Sequence, residues 1–338
     1  MSDLDEAKLG SWLRENGLAT TSSTQITKFA GGQSNPTYRV ETGDKSLVLR
    51  RKPFGPILAS AHAVEREYRL IAALHPADFP VPRPHALCED AEVIGAPFYV
   101  MDLVAGRTLW DGALPGMTPN ERAATYHAII DTLAALHAID PAEVGLSDFG
   151  RPGNYFARQV ERWTKQYRAS QTDDLPDVER LIEWLPRTVP EQQRTSIVHG
   201  DFRIDNMIFY ADRPEIRAVI DWELATLGDP LADLSYFLMS WVTAPEGRAG
   251  VKGLTGLDTG IPAMEAMAQR YCVATGRDGV PALDWYFAYN LFRLTGIVQG
   301  IKKRMLDGNA SSTQAAATVA QLPGLAEAAW GFAERAGA

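Results

Sequence analysis

Residues 197–206 read IVHGDFRIDN, and fifteen positions after Asn206 stands Asp221, inside the apolar run AVIDWE at 218–223. An acid two residues after a histidine, an asparagine five residues further on and a second acid ending a hydrophobic strand match what phosphoryl transfer requires. That chemistry needs one group to orient the acceptor hydroxyl. It also needs oxygen ligands for Mg²⁺, which protein sites usually hold with one or two side chains, the rest being phosphates and water. Asn206 and Asp221 suit such sparse metal ligation. Asp201, opening the loop that Asn206 closes, is the candidate to accept the hydroxyl proton, and His199 reads as structural, its ring fixing the loop through the backbone. Singly, each residue has an ordinary turn or cap role. The combination is specific, whereas a lone His-Gly-Asp would be weak.

The upstream sequence is consistent with a nucleotide cradle. Residues 24–29 and 37–41 alternate apolar and polar side chains like two strands, joined by AGGQSNP at 30–36. Gly31 and Gly32 allow a tight turn that brings backbone N–H groups close to phosphates, with Ser34 and Asn35 as polar additions. The loop lacks full GxGxxG spacing, and on its own it reads better as a plain hairpin turn. In the next strand, SLVLR at 46–50, period-two alternation puts Val48 and Arg50 on one face, Val48 for an adenine ring and Arg50 for phosphates. Arg51 and Lys52 are nearby substitutes for Arg50. A helix starting near Ser60 spaces Val64, Leu70, Ile71 and Leu74 on one stripe. FPVPRPHAL at 79–87 reads as an extended connection, and APFYVMDLVAG at 96–106 as a strand after which Gly106 lets the chain turn away.

VHGDFRIDN followed by IDWE resembles the signature of the aminoglycoside phosphotransferase family, which shares the protein-kinase-like fold. The resemblance implies an α+β, bilobal architecture: a small antiparallel β lobe with one helix at 1–102, and a larger helical lobe at 103–338. It implies ATP and Mg²⁺ as cofactors, and a hinge in which the backbone of Met101, Asp102, Leu103 and Val104 bonds the adenine edge. Glu67 becomes the helix-borne partner of Arg50, with Glu65 as the substitute. Arg50 itself departs from the pattern, which has lysine there, and Arg differs from Lys in reach and hydrogen bonding. Asp233, in the helix that opens at Asp229-Pro230, matches a family acid and is expected to hold the catalytic loop.

GGQSNPTYRV, RRKPFG and HAVEREY further resemble the kinase-like domain fused to acyl-CoA dehydrogenases in acyl-CoA dehydrogenase family members ten and eleven, over about Thr24 to past Arg304. In those fusions this domain is thought to act on hydroxylated acyl substrates, which points to a hydroxy acid or its CoA thioester. Dehydrogenase activity is not expected, because the flavin-binding domain is absent.

Composition narrows the partners. The 33 basic and 42 acidic residues leave a net charge of −9, which disfavours nucleic acid. No apolar run reaches the length of a membrane span, and no secretory signal is evident. Cys88 and Cys272 stand apart, without metal or disulfide spacing, so a reduced, cytoplasmic setting is expected. Nothing in the sequence speaks to oligomeric state. Thr118 and Pro119 open a long helix on which His137 reads as a packed core residue. Only ELATLG separates IDW from Asp229, too little for the activation segment of a protein kinase, so the partner is a small-molecule hydroxyl. The late helix DWYFAYNLFRLTGIVQGI offers Trp285, Tyr286, Tyr289, Asn290 and Arg293 as aromatic and polar groups to surround an acceptor. Arg293 is read either as facing a substrate anion or as forming an internal salt bridge with Asp233. A second reading, a nucleotide-binding regulatory module with little turnover, rests on Arg50 replacing lysine.

Overall fold

Leu47, Val48 and Leu49 are buried at consecutive positions, which a pleated strand allows only when both of its faces are covered. In the computed structural model, which describes residues 4–20, 24–29, 35–43, 45–54, 63–245, 249–308 and 315–338, they sit in the middle strand of a five-stranded antiparallel sheet. In chain order the described elements begin with α1 (Glu6–Glu15), β1 (Gln25–Lys28), β2 (Thr37–Glu41), β3 (Ser46–Arg51), α2 (Val64–Leu74), β4 (Pro84–Cys88) and β5 (Phe98–Asp102). Then come β6 (Arg107–Thr108), α3 (Pro119–Ala138), α4 (Tyr155–Ser170), α5 (Pro176–Trp184), β7 (Ser196–Val198), β8 (Met207–Phe209), β9 (Ile216–Val219) and β10 (Thr226–Gly228). The chain ends with α6 (Leu231–Leu238), α7 (Met264–Thr275), α8 (Leu283–Leu306), α9 (Ala315–Ala320) and α10 (Leu322–Arg335). An antiparallel sheet followed by a mainly helical part is the α+β architecture expected.

The sheet runs β1-β2-β3-β5-β4. Leu47 and Leu49 point to one side and join Tyr38, Val40, Phe98 and Val100 in a core closed by Leu9 and Leu13 of α1. Val48 and Arg50 point to the other. Arg51 therefore faces away from Arg50: it is 2% exposed, donates to the Tyr38 hydroxyl at 3.0 Å and lies 3.6 Å from the centre of the Phe54 ring. It is not a substitute for Arg50. Lys52 is also engaged elsewhere, 2.8 Å from Glu65. α2 packs Val64, Leu70, Ile71 and Leu74 into the larger core, which continues through Tyr99 into the helical part of the chain. There α8, buried over most of residues 285–300, packs against α4, α6, α9 and α10.

Two expectations need correction. The proline-rich connection contains an additional strand, β4, which pairs with β5 at the edge of the sheet, where Pro84 at its first position needs no N–H. Gly106 is not among the glycines with positive φ. Its lack of a side chain matters for space: a Cβ there would lie 2.3 Å from the carbonyl oxygen of Phe209, where β6 pairs with β8. Gly31, Gly32 and Ser34 lie outside the described residues, as does the expected helix start near Ser60. Thr118 caps α3 as read, in a reciprocal capping box with Glu121.

Gly106→Ala should destabilise the chain by about 1–3 kcal/mol through this backbone clash, read as a lowered urea midpoint. An unchanged midpoint would show that the β6–β8 approach relaxes freely.

Candidate active site

The loop between β7 and β8 is held from behind by one buried carboxylate. Asp233, on α6, accepts from the backbone N–H of His199 at 2.7 Å and of Gly200 at 2.8 Å, while His137 Nε2 lies 3.3 Å away. Burial alone would raise the Asp233 pKa, but the hydrogen bond and charge of His137 together with the His199 interactions hold it below the usual value. His137 completes the arrangement by placing Nδ1 2.7 Å from the Tyr271 hydroxyl. His199 Nε2 lies 3.0 Å from the Ile220 carbonyl, and its Nδ1 accepts from the Asp201 N–H at 3.2 Å. This pattern assigns the ring proton to Nε2, and the ring packs 4.5 Å from Trp222. His199 thereby joins the loop to the segment that carries Asp221.

Asp201 stands at the front of the loop. Asn206 Nδ2 donates to its Oδ2 at 3.0 Å and to its backbone carbonyl at 2.8 Å, which leaves the amide oxygen of Asn206 for a cation. A backbone bond of 2.9 Å from the Ile220 N–H to the Asn206 carbonyl sets Asn206 beside Asp221. Asp221 adopts left-handed backbone angles, φ 68° and ψ 57°, a strained conformation for a residue with a side chain. Two hard oxygen ligands fit the sparse Mg²⁺ ligation read from the sequence. Among the described residues no group of three or more His, Cys, Asp or Glu forms a metal centre by itself.

Arg50 collects the acids on the other side. Its Nη2 donates to Asp221 Oδ1 at 2.7 Å and to Glu223 at 3.4 Å, and its Nε lies 3.0 Å from Glu67 Oε2, close enough for an ion pair but outside hydrogen-bonding geometry. Burial raises the Glu67 pKa to about 7, the attraction of Arg50 being offset by the nearby Asp221 and Glu223 charges.

A cleft of about 620 Å³ is lined by Val48, Arg50, Glu67, Met101, Asp102, Leu103, Val104, Asn206 and Asp221, together with Ile208 and Ile220, while Asp201 stands just outside this lining. In the Met101–Val104 segment, the Asp102 N–H donates to Arg83 and the Leu103 N–H to Ser46. Among the described residues, the Val104 N–H has no backbone partner, and Val104 lines the cleft. The Asp102 carboxylate sits 2.6 Å from His85. Asn35 is 1% exposed and is not part of the wall.

The late helix does not reach the cleft. Trp285, Tyr286, Tyr289 and Asn290 are at most 2% exposed and belong to the interior. The expected salt bridge between Arg293 and Asp233 is not formed, because the Asp233 oxygens are occupied by the loop. Arg293 instead donates to the Gly200 carbonyl at 2.8 Å and lies against the Tyr236 ring at 5.0 Å. Three residues near the site escaped the sequence reading. Arg203 lies 3.4 Å from Asp201 and 2.9 Å from Asp205, and Glu223 reaches Arg50. Tyr236 hydrogen-bonds Asp201, and burial together with that carboxylate pushes its phenol up to about 12. The first two sit inside the quoted motif and Tyr236 follows Asp233 by three, so position was the available signal.

Replacing Asp233 by Ala leaves two buried N–H groups without an acceptor and should cost about 3 kcal/mol in chemical denaturation; a loss below about 1 kcal/mol would show that the loop holds itself. Glu67 binds its proton more tightly in the folded chain than the value of 4.5 it starts from. Its contribution to stability is therefore full below that value and is lost as pH rises through about 7. Glu67→Gln should gain stability relative to the parent across that window, in denaturation curves taken at several pH values. A pH-independent difference would contradict the assignment.

Comparison with known proteins gives a consistent picture. The model of the phosphotransferase enzyme family matches residues 25–270. The chain is 44% identical over 324 residues to acyl-CoA dehydrogenase family member 10 of Mus musculus, covering 95% of this chain but only 30% of that protein. A crystal structure from Ralstonia eutropha JMP134, provisionally described as an aminoglycoside phosphotransferase, superposes with a TM-score of 0.90 at 43% identity over 98% of this chain and 99% of that one. Aminoglycoside phosphotransferase APH(4)-Ia, solved with AMP-PNP and hygromycin B, shares the fold at a TM-score of 0.60 and 18% identity, over 98% and 99% of the two chains. The chain is a member of the phosphotransferase enzyme family, with the kinase-like fold of the aminoglycoside phosphotransferases.

Proposed function

We propose that the chain is an ATP- and Mg²⁺-dependent O-phosphotransferase acting on a hydroxyl of a small molecule, with hydroxy acids or hydroxyacyl-CoA thioesters as the acceptor class. The observation that carries the reading is the 3.0 Å hydrogen bond between Asn206 and Asp201 together with the backbone bond from Ile220 to Asn206 that brings Asp221 alongside, with Asn206 and Asp221 both lining a cleft that also carries apolar side chains. Residues 1–102 and 103–338 are taken as the two lobes around that cleft. Val48, Met101 and Ile208 would sandwich the adenine, with the Val104 N–H at its edge. Arg50, held by Glu67, would face the phosphates, and the glycine loop at Gly31, Gly32 and Ser34 is assigned to them from sequence alone. Asn206 Oδ1 and the Asp221 carboxylate would hold Mg²⁺. The bound nucleotide and metal supply the transferable phosphoryl group and neutralise its developing charge.

The remaining chemistry belongs to the chain. Asp201 accepts the proton of the acceptor hydroxyl while Asn206 fixes its Oδ2, so that the carboxylate points at the incoming group without having to reorganise. The acyl-type acceptor is favoured by the name of the mouse relative, of which this chain spans less than a third. A regulatory reading remains tied to one contact, the 2.7 Å bond from Arg50 to Asp221, since a guanidinium on the metal-binding acid competes with the metal.

Mg²⁺-dependent ADP release, measured with hydroxy acids, hydroxyacyl-CoAs, choline, homoserine and aminoglycosides, tests the proposal. Turnover should require one of these acceptors, and Asp201→Ala should lower kcat by roughly 10² to 10⁴ while nucleotide binding persists. Turnover that survives the substitution would remove Asp201 from its role. An Arg50→Lys variant that alone gains turnover would favour the regulatory reading for the parent chain.

A further inference from the structure

Away from the cleft, a second concavity of about 360 Å³ is lined by Arg66, Arg151 and Arg158 together with Asp148, Gln159 and Thr226. The three guanidiniums come from separate places: α2, the segment before α4, and the first turn of α4. None of them has a carboxylate partner among the described residues. Arg66 donates to the Phe149 carbonyl at 2.7 Å and lies 4.2 Å from the centre of its ring. Arg158 donates to the carbonyls of Gly153 and Arg151. These contacts orient the forks and leave most of their N–H groups unused, since each guanidinium carries five donors. The only acid on the wall, Asp148, is already paired with Arg69. Arg66 and Arg151 are exposed and Asp148 also feels the charge of Arg66, but in a chain with a net charge of −9 three guanidiniums gathered around one hollow still make a local positive field that favours an anion.

A second feature points the same way. Arg158 stands in the first turn of a 16-residue helix, where a cation opposes the helix dipole. The cap residue Asn154 makes no side-chain cap bond, and the first helical N–H, that of Tyr155, donates to Gln192 Oε1 at 2.9 Å, so the arginines and not free helix N–H groups would be the donors. Planar guanidinium forks match tetrahedral oxyanions better than a carboxylate, because several donors can be satisfied at once.

We propose that this pocket is a binding site for a phosphate group, separate from the nucleotide cleft. Its location gives such binding a consequence. Arg66 is adjacent to Glu67, the partner of Arg50, and Thr226 pairs with Val198 on the strand that leads into the catalytic loop. A phosphate held there would tie α2 to the larger core next to both. The proposal does not depend on turnover in the cleft.

The test is calorimetric titration of inorganic phosphate, and in parallel of glycerol 3-phosphate, into the full chain. The same titrations are run on Arg66→Gln and on the Arg151→Gln/Arg158→Gln double variant, which change different elements. The parent should bind, and each variant should weaken binding by at least about tenfold. Tighter binding of the ester with the same arginine dependence would assign the pocket to an organic phosphate, such as a phosphate carried by the acceptor. Equal affinities would assign it to free phosphate. Absence of phosphate binding to the parent, or affinity unchanged in both variants, would overturn the proposal. Because the readout is binding, failure here and failure of the phosphotransferase reading are seen separately.

Discussion

One guanidinium joins the parts of this molecule on which its chemistry would depend. Arg50 reaches from the middle strand of the sheet to Glu67 on α2 and to Asp221 after β9, three segments remote in sequence. It is one cation among Glu67, Asp221 and Glu223, so the cluster is short of positive charge. Burial concentrates that deficit on Glu67, whose proton affinity rises. Under the proposed function, a metal ion at Asp221 would add the missing positive charge, provided that it displaces the Arg50 contact. Asp221 also carries backbone strain, a common feature where the surrounding structure fixes a functional group.

Behind the catalytic loop, Asp233 does complementary work. A buried carboxylate is costly unless its lone pairs are filled, and here two backbone N–H groups and a histidine fill them. The result is a loop shaped from its interior side, with Asp201 turned outward. Arg293 closes the opposite face of the same loop through the Gly200 carbonyl. Its burial is thus explained by loop support.

The convergence of Asp201, Asn206 and Asp221 was legible because their order and spacing match a pattern that phosphoryl transfer constrains closely. The β1–β2–β3 arrangement and the Arg50–Glu67 pair were also legible, since period two and period 3.6 each point a side chain in a known direction. Other features were not. β4 was hidden by its prolines, which an edge strand tolerates and an inner strand does not. α1 was unread although Leu9 and Leu13 lie four apart behind the Asp5 cap. The aromatic side of α8 was read as a surface for substrate, because its residues look alike whether they meet a ligand or other helices. The fate of Arg293 could not be read because it depends on a backbone carbonyl, which leaves no trace in sequence pattern.

The most direct test of the central claim, that the cleft binds a nucleotide through a metal held by Asn206 and Asp221, is calorimetric titration of AMP-PNP into the full chain with Mg²⁺ and then with EDTA. The account predicts binding with Mg²⁺ that weakens at least about tenfold on chelation. No binding in either condition would contradict it.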